Sequence, residues 1–419
     1  MSTPSTAAIA PLDPEPVLRW SARATTIADI EKELGRIWAK QDLTADMDGT
    51  PGRHIAARSS VMNLVVIARR PEVAIRGAAT IQALTGRHPS RTIVVQSADP
   101  DGPSWIDARV EAHCILPHED APETCAETIH VTAGGEAGRH LTAIVTPLII
   151  HDLPVTIWWP NEPPFTSRAA IDLFDAADRL VVDGSSWSGD GLERLQQLAR
   201  LADLSAIAIS DFALMRQSRW REAIAAIFDD PDFLPYLRSI RRIAVTYATH
   251  DSSDGEANIV KPLYHVAWLA SRLDWSVAKP LHAVSGAGQA ARAPAGVQRA
   301  APGTRPLVGR GVAATMSDGR ADIAVSIRPV VSTLASGTTL RVELLAERRG
   351  SELRADVTAE AETVHVRVWQ DGVEALDRRF LAARKGEVEL LAEAIETGRE
   401  DPVGQGALRA AARLIGGPT

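Results

Sequence analysis

The sequence predicts an α/β protein with two α/β units, followed by a C-terminal part that is rich in antiparallel strands. Three observations support this class. Between residues 58 and 278, short β-branched apolar runs alternate with helical patterns, which is typical of strand–helix–strand units. Beyond residue 303, alternating apolar and polar positions indicate strands with one solvated face. The chain has 419 residues, of which 45% are hydrophobic, so two or three domains with substantial cores are possible.

The first α/β unit is predicted at residues 53–160, after a disordered lead-in and helical arm at residues 1–52. Residues 20–39 carry isoleucine and leucine at helical spacing, so they predict a helix. Residues 105–116 alternate charged with apolar or small side chains, which suggests an edge strand or a one-sided strand. The other elements predicted here are strands at residues 61–68, 91–97 and 153–159, a loop at 42–52, and helices at 72–84, 121–130 and 138–150.

The second α/β unit is predicted at residues 161–284. An Ala-, Gly-, Pro- and Arg-rich stretch at residues 285–307 has no periodicity and predicts a flexible linker or insertion. Residues 308–419 are predicted to form antiparallel strands and terminal helices packed on the second unit. The predicted helices lie at residues 168–177, 191–202, 220–228, 258–272, 387–397 and 408–415, and the strands of the second unit at 179–182, 204–209, 240–248 and 275–278.

The charge balance excludes some classes of partner. A net charge of −8, from 45 basic and 53 acidic residues, argues against binding nucleic acid through phosphate contacts. No apolar stretch approaches the roughly 20 residues that a membrane-spanning helix needs. The first residues show neither the basic nor the apolar region of a signal peptide, so a cytoplasmic protein that binds metabolites or proteins is expected.

The chain has two cysteines, Cys114 and Cys125. Their number excludes a disulfide scaffold, and two cysteines alone cannot supply a four-ligand zinc site. We therefore expect two reduced thiols and no metal. The alternatives are a redox-sensitive pair and a mixed metal site with His113, His118 and His130, although the spacing matches no zinc motif.

A glycine-rich turn is a weak candidate for anion binding. Gly134, Gly135 and Gly138 precede Arg139 and His140 at the start of a predicted helix. Backbone N–H groups at such a position, with two basic side chains, could hold an anion. The turn matches neither a Walker A nor a dinucleotide-binding motif, so a plain flexible turn is the preferred interpretation.

No stretch of the sequence has the spacing of a known catalytic motif. The run Asp183-Gly184-Ser185-Ser186 ends a predicted strand, but no general base accompanies it, so we interpret it as a capping turn. The sequence therefore predicts no catalytic residue and no cofactor.

Paired tryptophans mark the strand at residues 153–159. Trp158 and Trp159 are adjacent, so they point to opposite faces of a sheet, and Pro160, Pro163 and Pro164 end the strand. A buried central strand with one indole on each side is the preferred interpretation. The alternative is that an indole or the proline-rich exit contacts a partner or ligand.

The run Leu153-Pro154-Val155-x-x-Trp158-Trp159-Pro160-x-x-Pro163-Pro164 resembles the signature of the glucose-6-phosphate dehydrogenase assembly protein family, OpcA. The resemblance extends from about residue 20 to the end of the chain, except for residues 285–303. Further similar stretches are the strand at residues 58–68, the turn His88-Pro89-Ser90-Arg91, the helix with Trp220-Arg221-Glu222, and the tail with Ala407-Leu408.

The resemblance implies a non-catalytic partner of glucose-6-phosphate dehydrogenase. Such a protein promotes or stabilises the active oligomer of the enzyme in the oxidative pentose phosphate pathway. The similarity of the tail to this family also implies that the C-terminal strands complete the sheet of the second unit. The alternative hypothesis is an enzyme or sensor that binds a phosphorylated sugar through the glycine-rich turn at residues 134–140.

Overall fold

The computed structural model describes residues 17–39, 57–58, 60–99, 101–115, 124–250, 257–284, 305–306, 311–399 and 401–416. The predicted lead-in at residues 1–16, the loop at 42–52 and most of the linker at 285–307 lie outside these residues. The chain divides into two compact units, Met1–Pro160 with Arg168–Asp178 and Asn161–Ser167 with Arg179–Thr419. Helices accompany sheets in both, so the predicted α/β class is confirmed. No described helix is long and apolar enough to cross a membrane.

The first unit contains a mixed sheet. Its strands are β1 (Val17–Ala24), β2 (Ala57–Arg58), β3 (Met62–Ala68), β4 (Ser90–Ser97), β5 (Trp105–Ile115), β6 (Thr124–Gly134) and β7 (Val155–Trp159). They follow the order β1-β5-β6-β4-β3-β7, with β2 beside β6. The central pairs β6–β4, β4–β3 and β3–β7 are parallel, whereas β1–β5 and β5–β6 are antiparallel. All seven residues of β3 are buried, as expected for a central parallel strand.

Helices of the first unit pack against this sheet. They are α1 (Ile27–Ala39), α2 (Pro71–Gln82), α3 (Gly135–Arg139), α4 (Leu141–Val145) and α5 (Arg168–Phe174). Helix α2 begins at a proline, whose missing N–H is not needed in a first turn. A Cβ added to Gly77 would lie 2.8 Å from Cγ1 of Val66 in β3, so a glycine is required for this close packing of helix on strand.

Four predictions in the first unit are wrong. Residues 124–130 of the helix predicted at 121–130 belong to the strand β6, because its threonine, isoleucine and valine residues favour extended backbone and pair along β5. The helix predicted from residue 20 begins at Ile27, after β1. Since β1 pairs with β5, β5 is not an edge strand. The helix predicted at residues 138–150 is broken at His140 and ends in a short 3₁₀ turn that contains Pro147.

The second unit contains eleven described strands and six α-helices. Two strands, β8 (Arg179–Val182) and β9 (Ala208–Asp211), pair in parallel. The other strands are β10 (Ile240–Thr249), β11 (Ser276–Ala283), β12 (Arg305–Pro306), β13 (Val312–Ser317), β14 (Asp322–Val331), β15 (Thr339–Arg348), β16 (Ser351–Ala359), β17 (Thr363–Gln370) and β18 (Val373–Leu381). The helices are α6 (Leu192–Leu204), α7 (Phe212–Met215), α8 (Ser218–Ile227), α9 (Val260–Arg272), α10 (Glu387–Glu396) and α11 (Pro402–Ile415).

One large sheet organises the second unit. Its strand order is β11-β13-β14-β10-β15-β16-β17-β18, with β12 beside β14. Strand β10 pairs in parallel with β14 and antiparallel with β15, while β15 to β18 form an antiparallel meander. The C-terminal strands therefore complete the sheet of the second unit, as the tail of the sequence indicated.

Candidate functional site

The paired tryptophans are buried in the first unit. Strand β7 lies beside β3, and Trp158 and Trp159 are 0% and 1% exposed. The ring of Trp159 meets that of Phe174 edge to face, with 5.8 Å between the centroids. The predicted burial of this strand and of both indoles is therefore confirmed, and neither indole is available at the surface to a partner.

The proline-rich exit from this strand is also packed. Pro160 and Pro163 are buried, and Pro164 is half-buried. The next residue, Phe165, belongs to the second unit, as does Trp187. Their rings pack edge to face, with 6.1 Å between the centroids. These prolines therefore offer little free surface, and their suggested role as partner contacts stays a prediction.

The glycine-rich turn is formed by the end of β6 and the short helix α3. Gly134 lies against the indole of Trp105, where no Cβ would fit, and Gly135 has a positive φ of 56°. The two basic side chains are already paired with carboxylates. Arg139 donates to Asp101 at 2.7 Å, and Nε2 of His140 donates to Glu136 at 2.7 Å. Gly138 is buried in α3. An anion at this turn would therefore face two carboxylates as well as the two basic side chains.

The two cysteines form a disulfide in the structure. Cys114 of β5 and Cys125 of β6 lie directly opposite each other in the ladder, with 4.0 Å between their Cα atoms. The expectation of two reduced thiols is therefore wrong, because strand pairing that the sequence did not reveal brings the sulfurs together. Among the described residues, no group of three or more His, Cys, Asp and Glu side chains could hold a metal ion.

A polar cluster lies at the carboxyl ends of β8 and β9. Asp183 caps the turn Gly184–Ser186 by accepting hydrogen bonds from the N–H and the hydroxyl of Ser185, at 3.1 and 2.6 Å. Nη1 of Arg216 donates to both carboxylate oxygens of Asp183 at 2.8 Å. The capping turn predicted at this position is therefore confirmed, and it is anchored by an arginine.

Asp211 lies deeper in the same cluster. Its carboxylate accepts hydrogen bonds from the N–H groups of Gly184 and Ala213, both at 2.8 Å, and from the hydroxyl of Tyr264 at 2.9 Å. Burial raises the pKa of Asp211 to about 6, the nearby charge of Asp183 contributes to the rise, and the three hydrogen bonds oppose it. A partial signal for this residue is visible in the sequence, since an aspartate between a strand and a helix is a typical N-cap.

Two neighbouring cavities open beside this cluster, and they differ in charge. The first, which we call the acidic cavity, has a volume of about 430 Å³ and lies between the end of β9 and helices α7 to α11. The charged side chains among its described lining residues are Asp211, Glu222, Glu393, Asp401 and Arg221. Four carboxyl groups thus surround one guanidinium.

The second, which we call the basic cavity, has a volume of about 280 Å³. Residues from α8, α9 and the strands β15 to β17 line it, together with the segment that follows β18. Its charged lining residues are Arg216, Arg219, Lys261, Arg384, Lys385 and Glu360. Five cations thus face one described carboxylate. Sequence reasoning did not find this site, because its residues are scattered over more than 160 positions and belong to no motif.

The family of the chain follows from two matches. Residues 81–200 match a family model described as the glucose-6-phosphate dehydrogenase subunit N-terminal domain. Residues 207–408 match the model described as the C-terminal domain of the same subunit. The two models define a class of proteins associated with glucose-6-phosphate dehydrogenase and cover most of the chain. The chain belongs to the OpcA family of glucose-6-phosphate dehydrogenase assembly proteins, as its paired-tryptophan signature indicated.

Curated relatives carry the same family name. An OxPP cycle protein OpcA of Synechocystis sp. is 26% identical over 204 residues, covering 48% of this chain and 41% of that protein. Its namesake in Nostoc punctiforme is 27% identical over 178 residues, covering 41% and 35%. The matched part thus spans less than half the length of these relatives. Among solved structures, the 3-ketoreductase KijD10 from Actinomadura kijaniata is 11% identical with a TM-score of 0.42, covering 84% of this chain and 96% of that one. That likeness is too low to support a functional assignment.

Proposed function

We propose that this protein is a non-catalytic assembly factor and allosteric activator of glucose-6-phosphate dehydrogenase, acting in the cytoplasm in the oxidative pentose phosphate pathway. The observation that carries the proposal is the pair of family matches over residues 81–200 and 207–408. The names of the curated relatives, which refer to the OxPP cycle, support the same pathway.

Activation by this mechanism requires only that the protein bind the active and inactive forms of the dehydrogenase with different affinities. If the protein binds the active oligomer of the dehydrogenase more tightly than the inactive forms, it shifts the population toward the active oligomer by that difference. A shift from 1% to 99% active enzyme corresponds to roughly 5.5 kcal/mol of differential binding. Neither a catalytic residue nor a cofactor in this chain is required.

The test is a titration of the cognate dehydrogenase with this protein. We expect the activity of the enzyme to rise to a plateau at a fixed stoichiometry, together with a lower KM for glucose 6-phosphate and a larger oligomer in light scattering. The chain alone should produce no NADPH from glucose 6-phosphate and NADP. Unchanged activity, KM and oligomer size across the titration would contradict the proposal, and heat-denatured protein is the control for nonspecific protection.

The alternative function, an enzyme or sensor that holds a phosphorylated sugar in the turn at residues 134–140, has less support from the geometry. Arg139 and His140 are paired with Asp101 and Glu136, so a phosphate there would face two carboxylates at close range. Like charges within a few ångströms disfavour binding.

A further inference from the structure

The cations of the basic cavity are incompletely neutralised. Three of the five cations are paired: Arg216 with Asp183, Arg219 with Glu222 and Lys385 with Glu393. Lys261 and Arg384 have no ion-pair partner among the residues that the structure describes. Burial chiefly lowers the pKa of Lys261, and the charges of Arg216 and Arg384 lower it further, while those of Asp183 and Asp211 oppose the change. An ammonium group held beside other cations at low exposure is unfavourable, and a bound anion would offset that cost.

The same cavity contains buried polar atoms that lack hydrogen-bond partners. Gln217, His265 and Thr339 all line it and are 4%, 0% and 7% exposed. Oε1 of Gln217, both ring nitrogens of His265 and Oγ1 of Thr339 have no hydrogen-bond partner among the described residues. Buried polar groups in native proteins are nearly always satisfied, so these three side chains leave hydrogen-bonding capacity in the cavity for a polar ligand.

The chemistry of these groups defines the ligand. The cations suit a phosphate dianion, which arginine and lysine bind with charge-assisted hydrogen bonds. The amide oxygen of Gln217 can only accept a hydrogen bond, so it requires a donor such as a hydroxyl group. The imidazole of His265 can donate from one nitrogen and accept at the other, because burial keeps it neutral by lowering its pKa to about 3.

We propose that the basic cavity binds a small phosphate monoester whose organic part carries hydroxyl groups, such as a sugar phosphate. The volume of about 280 Å³ lies just below the usual range for small-molecule sites, roughly 300–1,000 Å³, and so suits a small metabolite. The indole of Trp220, whose centroid is 5.2 Å from that of His265, provides an apolar wall. The proposal goes beyond the assembly function and does not depend on it.

An acidic segment of a partner protein fits the cavity less well. A glutamate or aspartate side chain would satisfy the cations and could accept from the hydroxyl of Thr339, but a carboxylate has no donor for the amide oxygen of Gln217. The unsatisfied atoms are buried, so they are reached more easily by a small molecule than by a side chain fixed to a backbone. The adjoining acidic cavity, with Asp211 and Asp401, repels anions and should confine the phosphate to the basic cavity.

The test is calorimetry on the full chain, without the dehydrogenase. The probes are glucose 6-phosphate, glycerol 3-phosphate, inorganic phosphate and glucose. We expect at least one ester to bind more tightly than inorganic phosphate, and glucose not to bind. Addition of the ester should also raise the Tm of the wild-type protein, and this measurement requires no variant. The absence of binding by both esters at millimolar concentration overturns the proposal, as does equal binding of inorganic phosphate.

Variants locate the site. Lys261→Met keeps the length of the side chain without its charge, and Arg384→Gln removes the second unpaired cation. Each should weaken ester binding about tenfold or more, the loss that corresponds to one charge-assisted contact. The matched control is Arg139→Gln, which removes the same charge at the glycine-rich turn and should not change binding. Wild-type affinity in both cavity variants, or weaker binding only in Arg139→Gln, would place the phosphate elsewhere. Binding of a polyglutamate peptide in place of the esters would instead assign the cavity to protein recognition.

Discussion

Asp211 combines deep burial with a negative charge at neutral pH. Its pKa rises from the ordinary 3.8 to about 6 in the folded protein, chiefly because of burial, with a contribution from Asp183. The folded chain thus binds this proton more tightly than the unfolded chain. The resulting stabilisation is fully present below pH 3.8 and is lost as the pH rises through 6. A shift of about two units corresponds to roughly 3 kcal/mol.

We predict that Asp211→Asn removes this pH dependence. The amide oxygen can still accept from the N–H groups of Gly184 and Ala213, while the buried charge is absent. Urea unfolding between pH 4 and pH 7 should show the wild type losing roughly 2–3 kcal/mol relative to the variant, because most of the titration of Asp211 falls in this range. The lowered pKa of His265 reduces the free energy of unfolding as the pH falls. Because His265 is present in both proteins, its contribution cancels when the two are compared. If the difference in free energy of unfolding between the two proteins stays constant across this pH range, the raised pKa of Asp211 is refuted.

Trp159 shows how a signature residue can be structural. Its indole is 1% exposed and packs on Phe174, so Trp159→Ala should leave a large cavity in the first unit. We predict a loss of about 3–5 kcal/mol in the free energy of unfolding, measured by urea denaturation. The same substitution at Trp105, which is 42% exposed, is the control and should cost much less. A Trp159→Ala protein that unfolds like the wild type, yet no longer activates the dehydrogenase, would restore its role as a partner contact.

At the scale of elements, the hairpin of β5 and β6 carries the disulfide. Cys114 and Cys125 are buried and directly opposite, so the bond closes the loop between the two strands. Restricting that loop in the unfolded chain typically stabilises a protein by about 2–4 kcal/mol.

We predict that replacing both cysteines with serine lowers the free energy of unfolding by about 2–4 kcal/mol. Equilibrium unfolding with and without dithiothreitol provides the check. The reductant should destabilise the wild type and leave the variant unchanged. Equal stability of the oxidised protein and the variant would contradict the contribution of the disulfide.

The elements of the first unit also show what local sequence can specify. Strand β3 and helix α2 were predictable, because an apolar run and a helical spacing each match a single structure. Strand β6 was not, since alanine and glutamate interrupt the threonine, isoleucine and valine that favour extended backbone, and its pairing with β4 and β5 decides its conformation. The strand β1 was missed for the same reason.

At the scale of the whole molecule, the family and the α/β class could be predicted, but the basic cavity could not. The tryptophan signature is contiguous, so it is visible in one stretch of sequence. The cavity brings together Arg216, Lys261, Thr339 and Arg384, and no local pattern relates these positions. The polar atoms that mark it are recognisable only once their burial is known. Sites of this kind depend on topology and are therefore beyond sequence-pattern reasoning.

The position of β10 has a consequence for the synthesis of the chain. This strand contains residues 240–249, yet the neighbours on its two sides are β14 and β15, whose residues run from 322 to 348. A ribosome adds about 5–20 residues per second, so β10 leaves the exit tunnel several seconds before either neighbour exists. During that interval both of its edges and its buried valine and isoleucine side chains are exposed, which is the condition under which strands aggregate. The second unit therefore cannot complete the pairing of β10 until β14 and β15 have been synthesised.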